Sequence, residues 1–242
     1  VGLPKHAIKA VELGADVVTV QGGEGGGHTG AVPTTLLIPQ VVDAVGDRVP
    51  VVAAGGFKDG RGLTAALAWG ADGIAMGPRF LMTEESPVPR ETLQRYVDCN
   101  NPADIIVSKA MDGLPQRMIM NELLGELERA GPLKKLMIAM RNGLAFRKHT
   151  GASVTGLLQS AWQMHKDADI TTAQAMMSAN APMIIQKAMV EGQPAQGVLP
   201  SGQVAGVIDE LLTCEELING IVREAEQRLQ SLGTRTAATG EA

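Results

Sequence analysis

Short apolar runs alternate with amphipathic stretches through the first third of the chain, and most changes of period fall on a glycine. In residues 6–13 the apolar positions Ala7, Ile8, Ala10, Val11 and Leu13 follow a helical spacing, and Gly14 stands where a helix C-terminal glycine belongs. Residues 16–20 carry a β-branched run (Val17, Val18, Thr19, Val20) that predicts a buried strand. A helix is expected over residues 34–44, with Thr34 and Thr35 as candidate caps and Pro39 early in it. Residues 50–54 predict a second strand, residues 59–69 a third helix ended by Gly70, and residues 73–76 a third strand closed by Gly77. These strands are continuous apolar runs, as expected where both faces of a sheet are covered.

One unit recurs. Gly14-Ala15-Asp16, a strand and Gly22 return as Gly70-Ala71-Asp72, a strand and Gly77. Strands alternating with helices of this size mean βα units and a parallel sheet, hence an α/β fold. After about residue 87 the pattern changes. One strand-like segment, 105–108, is followed by helical stretches over 121–129, 132–146, 154–165, 172–178, 183–190 and 206–232. Methionines concentrate in this half, either as core filler or as an adaptable binding surface. Residues 233–242 are small and polar and read as a disordered tail.

Composition narrows the function. Of the 242 residues 45% are hydrophobic but only 2% aromatic, so the core is aliphatic. A net charge of -5 argues against a nucleic-acid partner, which needs a basic face. No apolar run reaches the length of a membrane span; the longest, 63–75, is broken by Gly70 and Asp72. Cys99 and Cys214 make neither a metal spacing nor a disulfide framework, and no signal-peptide pattern is visible, which together fit a cytoplasmic protein. The chain opens on Val1-Gly2-Leu3-Pro4, read as a loop leaving an upstream segment.

The candidate chemistry lies on three glycine loops that follow the three strands: residues 21–30, 54–60 and 76–79. The first holds six glycines, Glu24 and His28 within ten residues. In parallel α/β folds such loops share one face, and backbone N–H groups from neighbouring loops form phosphate sites. A flexible linker is the bland alternative for the first loop. His28 has no second histidine or cysteine near it, so no metal site is expected; it serves either as a general acid/base or to hold the loop. Gln21 either meets the edge of a heteroaromatic ring or ties down the glycine loop. His6, His149 and His165 fall on predicted helices as surface or packing residues. Arg129, Lys134, Lys135, Arg141, Arg147 and Lys148 form a basic cluster, either a solvated face or an attractor for an anion such as a coenzyme A tail.

Taken in order, several stretches resemble the nitronate monooxygenase family. Val20 to Gly30 resembles its glycine-histidine signature. Val52-Ala53-Ala54-Gly55-Gly56 and Ala75-Met76-Gly77-Pro78-Arg79-Phe80-Leu81 look like its two phosphate loops. Glu84-Glu85-Ser86, Asp112 to Arg117 with Asn121, and Ser201 to Gly206 resemble later motifs. The resemblance implies an FMN-binding TIM barrel with a mostly helical second domain. Residues 1–86 would be the last three barrel strands with the FMN site, 87–200 a substrate or lid domain, and 201–232 a helix returning to the barrel. It carries the catalytic base onto His28 and cofactor contacts onto Gln21, Gly22, Gly26 and Gly27. Phosphate contacts fall on Gly55, Gly56, Met76 and Gly77. It implies oxidation of alkyl nitronates or a related carbon acid with O2.

Three departures from the family pattern stand out. An eight-stranded barrel needs roughly 100 to 150 further residues upstream, so the chain is expected to be N-terminally truncated and to bind FMN poorly alone. Pro78 stands where threonine is expected and removes one phosphate donor. Gly25 stands where alanine is common, and with Gly55 to Gly62 and Gly197 to Gln203 it resembles an actinobacterial branch acting on a coenzyme A ester in steroid ring breakdown. A flavin-dependent dehydrogenase or reductase of such a thioester, using NAD(P)H in place of O2, a flavin enoyl reductase, and a non-catalytic phosphate-ligand module are the alternatives. The oligomeric state, a homodimer among the options, stays open.

Overall fold

The structure is a computed structural model that describes residues 1–131 and 172–239. In chain order its elements are α1 (Pro4–Glu12), β1 (Val18–Gln21), β2 (Gly27–His28), α2 (Thr34–Val45), β3 (Val51–Ala54), α3 (Gly60–Ala68), β4 (Gly73–Ala75) and α4 (Gly77–Leu81). Then come α5 (Arg90–Val97), β5 (Ile105–Ser108), β6 (Gln116–Ile119), α6 (Glu122–Arg129), α7 (Thr172–Met189), β7 (Leu199–Pro200) and α8 (Cys214–Thr239).

β1, β3 and β4 form a parallel sheet in that order, with Val20 opposite Ala53 and Ala53 opposite Ile74. α2 and α3 are the crossovers, as a parallel pair requires. Val18, Val20, Val51 and Ala53 pack with Leu37, Ile38, Val41 and Val45 of α2 in one buried aliphatic cluster. Gly14 ends α1 with φ +95° and Gly70 ends α3 with φ +88°. The chain is therefore α/β. Among the described residues no helix is long and apolar enough to cross a membrane.

The second half differs from its expected pattern. The expected strand 105–108 (β5) does not stand alone: β6 and β7, with β2 from the glycine loop, join it in an antiparallel sheet. β2 and β7 lie end to end along one side of β6, pairing with Gln116–Arg117 and with Met118–Ile119, while β5 holds the other side. β5 falls on the expected segment 105–108, but β2, β6 and β7 are two to four residues long and β6 begins on the polar pair Gln116-Arg117, so no apolar run announces those three. Their stability comes from partners far apart in sequence. Residues 172–189 form one helix where two were expected. The expected helices 132–146 and 154–165, with His149, His165 and every basic-cluster residue except Arg129, lie outside the described residues.

The last helix also starts later than expected. A 3-10 turn covers Gln203–Val207, and α8 begins at Cys214 behind a capping box. In that box the Glu216 N–H donates to Thr213 Oγ1 (3.1 Å), and the Thr213 N–H donates to Glu216 Oε2 (3.0 Å). The helix runs on through Thr239, across most of the stretch expected as a disordered tail. It packs on α3, where a Cβ on Gly60 would lie 2.5 Å from the Ile221 carbonyl oxygen.

Candidate active site

Glu24 anchors the glycine loop. Its carboxylate accepts the Thr34 N–H at 3.0 Å, while the Thr34 hydroxyl sits between that carboxylate (2.5 Å) and the Gly55 carbonyl oxygen (3.1 Å). The cap of α2 is thus an anion from the loop, favoured by the helix dipole, and not a threonine side chain. Arg117 fixes the loop from the other sheet: its Nε and Nη2 donate to the Gly23 carbonyl (3.2 and 2.8 Å) and its Nη1 to that of Ile105 (3.1 Å). Burial pushes the Arg117 guanidinium down, and the Glu24 charge pulls it back up. Gln21 Nε2 donates to the His28 carbonyl (3.2 Å) and, at 3.5 Å, to that of Gly26, so this amide ties the loop together. A Cβ on Gly25 would lie 2.5 Å from Gln21 Cγ and Nε2, so glycine is what lets the amide lie there. The run is not a linker.

A cavity of about 520 Å³ opens at the C-terminal ends of β1, β3 and β4. Gln21, Gly26, Gly27, Gly55, Gly56, Met76 and Gly77 line it, facing Pro200, Ser201, Gly202 and Val204. The two walls touch. A Cβ on Gly26 would lie 2.5 Å from both Gly202 N and Ser201 C, and the Gln203 N–H donates to the Glu24 carbonyl (3.0 Å). Gly22 does not line the cavity. Its N–H donates to the Ala54 carbonyl (3.0 Å), and a Cβ on it would lie 2.5 Å from Thr34 Cα, so it is glycine for packing.

The cavity fits a phosphate-bearing aromatic cofactor. Its size falls within the roughly 300–1,000 Å³ of small-molecule sites. Gly55 and Gly56, both on the cavity wall, have φ of +101° and +83°, a left-handed backbone that glycine adopts without strain. Among the described residues no acceptor is bonded to the N–H of Gly55, Gly56 or Gly77. A Cβ on Gly77 would meet nothing within 4 Å, so open space lies beside it. Asp59 caps α3 through the N–H groups of Arg61 (3.1 Å) and Gly62 (3.2 Å), so that helix start is already occupied.

His28 stands beside the cavity rather than on its wall. It follows Gly27 in β2, opposite Gln116. Its Nε2 lies 2.8 Å from Asp112 Oδ2 and 3.1 Å from Gln116 Nε2. Asp112 and Gln116 are buried, whereas the His28 side chain is 59% exposed. Sequence reasoning missed both partners as site residues. They lie 84 and 88 positions from His28, and only the ladder between β2 and β6 brings them there. His6 lies on α1, remote in sequence from this group.

An α/β fold with a glycine-walled cavity and a carboxylate-paired histidine defines a class, and the chain belongs to the nitronate monooxygenase family, whose model matches residues 2–224. Its members are flavin-dependent oxidoreductases. The chain is 49% identical over 237 residues to the (3aS,4S,5R,7aS)-5-hydroxy-7a-methyl-1-oxo-octahydro-1H-indene-4-carboxyl-CoA dehydrogenase of Rhodococcus jostii, a match covering 98% of this chain and 66% of that one. It is 37% identical over 134 residues to a Staphylococcus saprophyticus protein named "Probable nitronate monooxygenase", covering 51% of this chain and 37% of that one. Among solved structures, FabK from Thermotoga maritima matches with a TM-score of 0.67 and 28% identity over 97% of this chain and 62% of that one. The chain thus spans slightly under two thirds of the length of the dehydrogenase and of FabK.

Proposed function

We propose that the chain is the C-terminal part of an FMN-dependent TIM-barrel oxidoreductase in which His28 exchanges a proton with a carbon acid beside the flavin. The observation that carries this reading is the cavity itself, with the open N–H groups of Gly55, Gly56 and Gly77 and the loop residues Gln21, Gly26 and Gly27 on its wall and His28 beside it. In this reading Gly55, Gly56 and Gly77 hold the phosphate, with Met76 beside them. Gly26, Gly27 and Gln21 lie along the ring, and His28 faces the substrate. The flavin supplies the two-electron chemistry, while the chain binds, orients and moves the proton. Loss of the substrate proton to His28 leaves the C–H electron pair on the carbon, and the imidazolium formed sits against Asp112.

Alkyl nitronates oxidised by O2 are the first substrate class. A coenzyme A thioester handled with a nicotinamide partner is the second, and a specific observation favours it: the match to the dehydrogenase runs over 98% of the chain, against 51% for the nitronate monooxygenase. The test is His28→Ala in the flavin-loaded enzyme, assayed for oxygen uptake with nitronate and for NADH-linked turnover of thioesters. Turnover should vanish while flavin stays bound. Unchanged turnover would remove His28 from the chemistry, and the assay that responds names the substrate class.

A further inference from the structure

The surroundings of His28 Nε2 decide which of its two nitrogens is the base. Asp112 is 6% exposed, and its carboxylate can only accept. Its Oδ1 takes the Leu114 N–H at 3.0 Å, and its Oδ2 takes the Gln116 amide while lying 2.8 Å from His28 Nε2. Gln116 Nε2, 3.1 Å from the same ring nitrogen, can only donate. The ring atom therefore faces an acceptor and a donor. A proton on Nε2 makes a charge-assisted bond to a buried carboxylate, about twice as strong as a neutral one. A lone pair there would face that carboxylate across 2.8 Å with nothing between. The carboxylate wins.

We infer that Asp112 is a positioning residue that holds His28 as the Nε2–H tautomer, leaving Nδ1 as the atom that takes the substrate proton. This deepens the reading of His28 as the base and rests on it. In the step the substrate C–H bond breaks, the proton passes to Nδ1, and the electron pair stays on the carbon for the bound flavin. The resulting imidazolium keeps its Nε2–H on Asp112. Gln116 donates to Asp112 Oδ2 as well, so its amide also bonds the carboxylate that faces the ring.

The four histidines make the tautomer directly readable. Long-range 1H–15N correlation on 15N-histidine protein, at a pH where the ring is neutral, should show His28 Nε2 pyrrole-like and Nδ1 pyridine-like, with His28→Gln giving the assignment. Asp112→Asn is isosteric and puts an amide donor where the acceptor was. It should reverse that pattern and lower kcat by up to about 10⁴-fold with KM nearly unchanged, the scale seen when a catalytic histidine is held in the wrong tautomer. Asp112→Glu, which restores an acceptor, should recover part of the rate. A pyrrole-like Nδ1 in the unsubstituted protein would overturn the inference, whether or not Asp112→Asn folds. So would an Asp112→Asn protein with unchanged 15N pattern and kcat. Full turnover in His28→Ala would instead overturn the reading of His28 as base, which the spectra do not test.

Discussion

Gly26→Ala is the most direct perturbation of the seam that closes the cavity. The added Cβ would lie 2.5 Å from Gly202 N, 2.5 Å from Ser201 C and 2.9 Å from Ser201 Cα, all of them backbone. Ordinary contact begins at 3.4 Å, so the loop and the Ser201–Gly202 segment must part by about 1 Å. Neither side yields easily. The loop is pinned by Glu24 on Thr34 and by Arg117 on Gly23, and the opposite wall by the pairing of β7 with β6. Overpacking of this kind costs about 1–3 kcal/mol. Loss of the Gln203 N–H to Glu24 carbonyl bond adds roughly 1 kcal/mol. The expected loss is about 2–4 kcal/mol, or roughly 5–15 °C in Tm for a chain of this length. Gly30→Ala is the control, because a Cβ there meets nothing within 4 Å and its φ is not positive. It should stay within about 0.5 kcal/mol of the unsubstituted protein. Thermal unfolding followed by circular dichroism measures both. Equal Tm values for Gly26→Ala and Gly30→Ala would refute the close apposition of the two walls.

Two further outcomes are expected. Gly25→Ala should displace the Gln21 amide from the Gly26 and His28 carbonyls, because the new methyl meets a flexible side chain and not backbone. It should cost about 1 kcal/mol in chemical denaturation, less than Gly26→Ala, with the His28 amide shift moving in NMR spectra. Acid should loosen the starts of α3 and α8. Burial raises the Asp59 carboxyl, but bonds from the Arg61 side chain and the Gly62 N–H outweigh it and leave the group below 3.8. The Thr213 N–H and hydroxyl hold Glu216 below 4.5, and the Cys214 N–H does the same for Glu85. All three folded values lie below the unfolded ones. Their stabilisation is complete above the unfolded carboxylate range and is lost as pH falls through the folded values. Asp59→Asn should therefore lose less stability than the parent between about pH 5 and pH 3, measured by urea unfolding.

The parallel layer was legible because burial on both faces leaves unbroken apolar strands and because Gly14 and Gly70 mark helix ends. Its loops were legible as glycine clusters at three strand ends. Of the antiparallel sheet only β5 was legible: β2 is a glycine and a histidine, β7 a leucine and a proline, and their pairing depends on β6, about 80 to 90 residues from each. Asp112 was singled out only as part of a family-like stretch, because its contact with His28 exists only through that ladder. Gly22 was grouped with the cavity glycines because sequence spacing does not distinguish glycine required for a ligand from glycine required by Thr34. The α2 cap was assigned to the nearest threonines, whereas the carboxylate that serves it lies ten residues upstream. The start of α8 was set too early because Gly206 follows the apolar turn, while the Thr213–Glu216 capping box marks the true start.

The central claim is that the phosphate end and the ring end of one cavity lie on Gly55, Gly56 and Gly77 and on Gln21 and Gly26. Amide chemical-shift titration of 15N-labelled protein with FMN tests it even if binding is weak. FMN up to millimolar concentration should move all five amides, whereas riboflavin, which lacks the phosphate, should move Gln21 and Gly26 and leave Gly55, Gly56 and Gly77 in place. No change at these amides with FMN, or identical shifts from FMN and riboflavin at the second and third loops, would contradict it.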